Sequence, residues 1–344
     1  MSFFTDAEKD ALSIRRMIFH VVGKDLEDPT LLPEITPPQE PAFFVGRVRS
    51  ALSGNLFAFR EGSSVEAALR EIAGGGDFTA GTQALARDFH TRHRTGTSNG
   101  AFLVFELDVG ADIPVYALVK YDHDEVVRYQ LGDAQPQLER LQEAFVKKPE
   151  AMQKIALVRL AHDAGGLVMV RDRSKRTHIS EYFEGFLNAR RVNEPADLSG
   201  KFVEAVKATY KKHKGELSPD MQAGGVNRLY DVLRQGGQHY DPENREPLLT
   251  ALFGVLPENA PIRGTLERQL RDRGVAEESF EIDPERVQKP RKRVLETQEG
   301  VMVLYDEAHR PTETDMPDGR KRIEILTAGI LRDDVDTENR PRGR

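Results

Sequence analysis

The chain contains no cysteine and no tryptophan. Without thiols it can form no disulfide, cysteine nucleophile, iron–sulfur cluster or cysteine zinc site, so any metal would need histidine and carboxylate ligands. Aromatic residues make up only 7% of the chain, which disfavours recognition of single-stranded nucleic acid by base stacking. No window reaches the ~18–20 consecutive apolar residues that a spanning helix requires. The N-terminal MSFFTDAEKDALSIRR has no basic segment leading into a sustained apolar run. Neither membrane insertion nor secretion is expected, and a cytoplasmic location is. The glycine-rich segments at Gly74-Gly75-Gly76 and Thr95-Gly96-Thr97-Ser98-Asn99-Gly100 lack the Gly-Lys-Ser/Thr ending of a phosphate-binding loop. No Gly-x-Ser-x-Gly elbow and no His-Glu-x-x-His helix occurs either.

What is present is a charged sequence, 31% Asp, Glu, Lys and Arg, in which 56 acids outnumber 49 bases for a net charge of −7. That balance argues against a surface coated in nucleic-acid-binding charge. Any DNA binding would have to come from a local cationic patch and would weaken steeply with salt. The 344 residues suffice for a large core and two lobes.

Apolar periodicity outlines an α+β fold. Ile14 to Val22 reads as an opening strand, followed by a proline-rich loop (Pro29, Pro33, Pro37, Pro38). Pro41 opens a helix in which Phe44, Val48 and Leu52 repeat at i+4, and Ser63 with Glu66 forms a capping-box pattern for a helix ending at the glycine triplet. A third helix is expected around Phe78 to His93. Ala101 to Leu107 and Ile113 to Tyr121 are continuous apolar strands, implying a sheet covered on both faces. After Asn193-Glu194-Pro195 the texture becomes helical: Leu198, Phe202, Val206 and Tyr210 share one face, and further helices fall near 219–235, 245–254 and 261–273. Strands return at Val301 to Tyr305 and Arg322 to Thr327, expected to pair as a closing hairpin. The expected division is a mixed α+β lobe at 1–192, a helix-rich lobe with the terminal hairpin at 193–332, and a disordered tail at 333–344.

Residues 155 to 191 form the most distinctive unit. Ile155 to Leu160 and Leu167 to Val170 are β-branched runs joined by His162-Asp163-Ala164-Gly165-Gly166, a hairpin signature. Arg171, Arg173, Lys175 and Arg176 then precede a helix whose Ile179, Tyr182, Phe183, Phe186 and Leu187 lie on one stripe. With Asn99-Gly100-Ala101-Phe102-Leu103-Val104-Phe105 and its partner strand Val115 to Val119, this arrangement resembles the bacterial nucleoid-associated NdpA-like (YejK-like) family. The resemblance implies a DNA-associated protein with no known cofactor that acts near topoisomerases.

Several clusters compete as sites. The loop cations Arg171, Arg173, Lys175 and Arg176, with Arg190 and Arg191 at the far end of the helix, are placed to grip phosphates from two sides; the alternative is a solvated loop. Lys207, Lys211 and Lys214 form a second cationic stripe on the next helix, or an ordinary solvated helix face. Lys289, Arg291, Lys292 and Arg293 form a further run. His90 and His93 at i, i+3 permit metal ligation but lack a completing acid, so a surface pair is the simpler reading. Asp122 and Asp124 flank His123 at a strand end, where a metal-dependent nuclease would keep carboxylates; an acidic turn is the plainer alternative, and no acid-x-Lys partner is evident on the next strand. The expectation is a non-enzymatic, homodimeric protein of the nucleoid, without cofactor or metal, that binds double-stranded DNA through the nine cations Arg171, Arg173, Lys175, Arg176, Arg190, Arg191, Lys207, Lys211 and Lys214. The second reading is a protein-interaction adaptor for a topoisomerase or a defence-system protein.

Overall fold

In the computed structural model the described residues are 3–92, 98–122, 124–131, 136–145, 151–161, 165–175, 177–288 and 292–331, with side chains excluded over 124–144 and at 307. The chain forms two compact units, Met1–Val287 and Gln288–Arg344.

The first unit opens with helix α1 (Asp6–Ala11), closed by a reciprocal Thr5/Glu8 capping box, and strand β1 (Ser13–Val22). Helix α2 (Pro41–Arg49) starts at the proline, β2 (Asn55–Phe59) follows, and α3 (Ser64–Ala73) begins where the Ser63 hydroxyl accepts the Glu66 amide and donates to the carbonyl of Leu187. Helix α4 (Phe78–Thr91) leads to β3 (Gly100–Asp108) and β4 (Val115–Asp122). Strands β5 (Asp124–Leu131) and β6 (Pro136–Ala144) pair as a separate hairpin that begins at the expected acidic turn. The expected second hairpin is β7 (Met152–Leu160) with β8 (Gly166–Asp172), followed by α5 (Glu181–Leu187) and the short β9 (Ala189–Arg191).

Seven of these strands make one antiparallel sheet in the order β1-β3-β4-β7-β8-β2-β9. Side chains alternate between its faces. Phe102, Val104, Leu118, Ala156, Val158, Val168 and Val170 pack beneath α3, α4 and α5, while Ala101, Leu103, Phe105, Ala117, Val119, Leu157 and Met169 face α2 and the N-terminal Phe3 and Phe4. Both faces are dry, which is why the central strands read as unbroken apolar runs rather than as alternation.

Beyond β9, α6 (Pro195–His213), α7 (Pro219–Ala223), α8 (Gly225–Leu233), β10 (His239–Tyr240), α9 (Glu246–Phe253), α10 (Pro261–Asp272) and β11 (Phe280–Glu281) pack around a cluster drawn entirely from Leu198 to Val287. This helical part is bonded to the sheet. The Gly54 amide donates to the carbonyl of Glu277, and Lys9 pairs with Glu277 at 2.8 Å.

In the second unit, β12 (Lys292–Glu296) pairs with β13 (Met302–Asp306) and β14 (Thr312–Asp315) with β15 (Lys321–Glu324). Val301 to Tyr305 therefore does not pair with Arg322 to Thr327. Each run finds a closer partner whose short loop costs less closure entropy. The expected tail at 333–344, and Lys289 and Arg291, lie outside the described residues.

Candidate nucleic-acid interface

The end of β8 organises the site. Its last residues alternate across the sheet: Asp172 shares the face of Val168 and Val170, and Arg171 shares that of Met169. On the inner face Asp172 is fully buried. One oxygen accepts from Lys154 Nζ at 3.0 Å and from the amide and hydroxyl of Ser174; the other accepts from the amide and hydroxyl of Ser180. One carboxylate thus closes the loop after β8 onto the start of α5. Burial alone would raise the Asp172 carboxyl, but the Lys154 ammonium and the serine donors outweigh it and hold it below the usual range.

A second buried pair lies alongside. Lys120 on β4 is in register with Lys154 on β7, and its ammonium meets Asp122 at 2.8 Å; Asp122 also accepts from the Ser98 hydroxyl at 2.5 Å. Burial pushes the Lys120 ammonium down, opposed by Asp122 and reinforced by Lys154. The backbone must come close here: a Cβ on Gly100 would sit 2.4 Å from Lys120 Nζ and 2.2 Å from the Tyr121 carbonyl. The Tyr182 ring covers the group, 5.2 Å from Lys154 Nζ, and burial raises its phenol well above normal. Sequence reading missed both lysines. The available signal was a lysine inside each apolar strand run, at Lys120 and Lys154, where burial demands a partner. Asp122 is thus tied to an ammonium, and among the described residues no group of three His, Asp or Glu side chains is arranged to hold a metal. The side chain of Asp124 and all of His123 fall outside the described residues.

On the outer face Arg171 and Arg173 line a cleft of about 260 Å³ with Lys175, His178, Asp241 and Glu243. Arg171 donates to the Ser53 hydroxyl at 3.0 Å and meets Glu243 at 2.7 Å and Asp241 at 3.4 Å; Arg173 reaches the other Glu243 oxygen at 3.7 Å. Lys175 and His178 are exposed. The participation of His178, Asp241 and Glu243 has no local sequence signal, since the last two come from the turn after β10, some 70 residues away from Arg171 along the chain.

The remaining sequence candidates divide. Arg190 is exposed on β9. Arg191 turns inward, donating to the Thr177 carbonyl, Asn55 Oδ1 and the Ser279 carbonyl beside Glu278. Burial lowers the Arg191 guanidinium and raises the Glu278 carboxyl, each opposed by the other's charge. Lys207 is half-buried, its ammonium 5.5 Å from the Tyr230 ring centre, whereas Lys211 and Lys214 are exposed at the end of α6. Arg176 lies outside the described residues, as does His93. His90 bonds the backbone of the β1–α2 connection at Gly23 and Glu27.

These features define an α+β protein with a charged cleft, three basic and three acidic side chains, at the end of β8 in a doubly covered antiparallel sheet. The family model described as nucleoid-associated protein YejK matches residues 18–326, most of the chain, and the chain belongs to that family. No curated protein matches it. Among the described residues no helix is long and apolar enough to cross a membrane.

Proposed function

We propose that the protein binds double-stranded DNA through its phosphate backbone, without sequence readout or catalysis, as a homodimer in the cytoplasmic nucleoid. The observation that carries this reading is the convergence of Arg171, Arg173, Lys175 and His178 on one open cleft, in a chain of the nucleoid-associated family. Arg190, Lys211 and Lys214 are exposed and Lys207 is half-buried, and with Arg176 of the same basic run they complete the proposed set of phosphate-binding cations. Arg191 acts at one remove, by holding β9 and the loop at Thr177 against Ser279. Local cations on an acidic protein give binding dominated by counterion release.

The test is duplex binding across a salt series with the full chain, beside a variant carrying Lys175→Ala, Arg190→Ala, Lys211→Ala and Lys214→Ala. Each lost phosphate contact should flatten the log–log salt slope by about 0.9. Absence of binding at low salt, or an unchanged slope in the variant, overturns the reading.

The adaptor reading has one observation of its own. On the β12–β13 hairpin Val294 and Leu304 stand opposite each other, each 61% exposed, with Met302 at 62%. Apolar side chains so exposed suit a protein partner such as a topoisomerase or a defence-system protein. Capture of such a partner that is lost with Leu304→Lys would favour it.

A further inference from the structure

We infer that the cleft at Arg171 and Arg173 is a phosphate site occupied by an internal anion, the Glu243 carboxylate, which a DNA backbone phosphate displaces; this rests on the DNA-binding reading above. The geometry is that of a substitute ligand. Glu243 spreads its two oxygens over two guanidinium groups, Oε2 at 2.7 Å from Arg171 and Oε1 at 3.7 Å from Arg173, the second too long for a hydrogen bond. A phosphodiester presents two non-bridging oxygens to the same pair, and guanidinium forks suit them as well as they suit a carboxylate.

Further features make the occupant exchangeable. The Glu243 side chain is 38% exposed while Arg171 and Arg173 are 13% and 15% exposed, so the anion sits at the mouth and the cations at the wall. The open volume, about 260 Å³, is several times the roughly 30 Å³ share of one liquid water, leaving room for an incoming oxyanion. Replacing one monoanion by another leaves the charge of the cleft unchanged, while a phosphate also gains the exposed Lys175 and His178, which line the same cleft. Little has to move: the turn that carries Glu243 is pinned by Asp241, whose carboxylate accepts the Glu243 amide at 3.0 Å and whose carbonyl accepts the Asn244 amide, so a side-chain rotation suffices. Asp241 itself, 16% exposed and 3.4 Å from Arg171, stays behind to keep that guanidinium aimed. The device sets a threshold, since only a polyanion presenting several phosphates repays the displaced ion pair.

The experiment compares the full chain with Glu243→Gln, using duplex DNA and, separately, inorganic phosphate as probes. Glu243→Gln should bind duplex about fivefold more tightly at low salt with an unchanged salt slope, because the same phosphate is engaged without an ion pair to displace. Asp28→Asn, which removes an exposed acid outside the cleft, should bring no such gain in affinity. Adding Arg173→Ala to Glu243→Gln should abolish the gain. If the wild type binds DNA and Arg173→Ala weakens it, but Glu243→Gln brings no gain in affinity, the internal-anion inference fails while the DNA reading stands. If no variant binds DNA yet Glu243→Gln acquires Arg171-dependent phosphate binding, the DNA reading fails and the exchangeable anion remains. Absence of both responses overturns both.

Discussion

Asp172 and Glu243 are both carboxylates clasped by cations at the end of β8, and they differ in every property that sets the worth of an ion pair. Asp172 is buried on the inner face, saturated by Lys154, Ser174 and Ser180. Glu243 lies at the rim of the outer face and touches Arg171 closely and Arg173 loosely. Removing one partner of a buried pair strands the other charge without water, whereas a rim pair exchanges its partner for solvent at small cost. Residues one apart on a strand therefore serve different ends, Asp172 holding the loop in place and Arg171 presenting it, because alternation sends them to opposite sides of the sheet.

The comparison is broken most severely by Asp172→Ala, which should cost about 3–5 kcal/mol by leaving Lys154 buried and unpaired; urea denaturation measures it. The double replacement Lys154→Met with Asp172→Leu should recover most of that loss, because both buried charges are then gone. A double variant no more stable than Asp172→Ala alone would show that the serine bonds, not the ion pair, hold the loop.

Acid probes the same contrast. His20 is buried on β1, its Nδ1 accepting the Leu32 amide at 3.2 Å, and burial, with Arg87 adding to it, pushes its imidazole down to about 4. The folded state then binds fewer protons than the unfolded, so stability should fall as pH drops from about 6.5 towards 4, by no more than about 3 kcal/mol. Asp172, whose carboxyl is depressed, contributes stability above the ordinary carboxylate range and loses it only at still lower pH, as pH falls through its folded value. His20→Asn, which keeps an acceptor for the Leu32 amide, should flatten the upper window, and Glu243→Gln should leave it unchanged. Smaller still, Glu243→Gln should alter stability at neutral pH by less than about 1 kcal/mol. Lys211→Ala with Lys214→Ala should stay within about 0.5 kcal/mol while reducing DNA affinity.

Much of the fold was legible where one physical signal dominated. Continuous apolar runs at β3 and β4 announced a sheet covered on both faces, and Pro41, Ser63 and the i, i+3, i+4 stripe of α5 announced helices, because capping and periodicity are local properties. The β5–β6 hairpin was only faintly legible: Val127, Tyr129 and Leu131 alternate with polar residues in β5, but β6 holds only Leu138 and Leu141 among charged and amide residues. The pairing of β13 failed for another reason: apolar content says that a strand exists, not which strand it joins.

The site divides the same way. Charge density alone marked the loop from Arg171 to Arg176 as the cationic segment, and it is the segment that borders the cleft. Density could not distinguish Arg190, which is exposed, from Arg191, which is half-buried and bonded to Asn55 and Ser279. What the sequence determined by itself was therefore composition, periodicity and capping: an α+β chain without thiol chemistry, a covered sheet, and cations gathered before α5. What only the tertiary structure decided was which charges meet. Strand register set Lys120 beside Lys154, alternation sent Asp172 inward and Arg171 outward, and a turn some 70 residues further on brought Glu243 to the two arginines, because ion pairs depend on distance in space and carry no periodic trace along the chain.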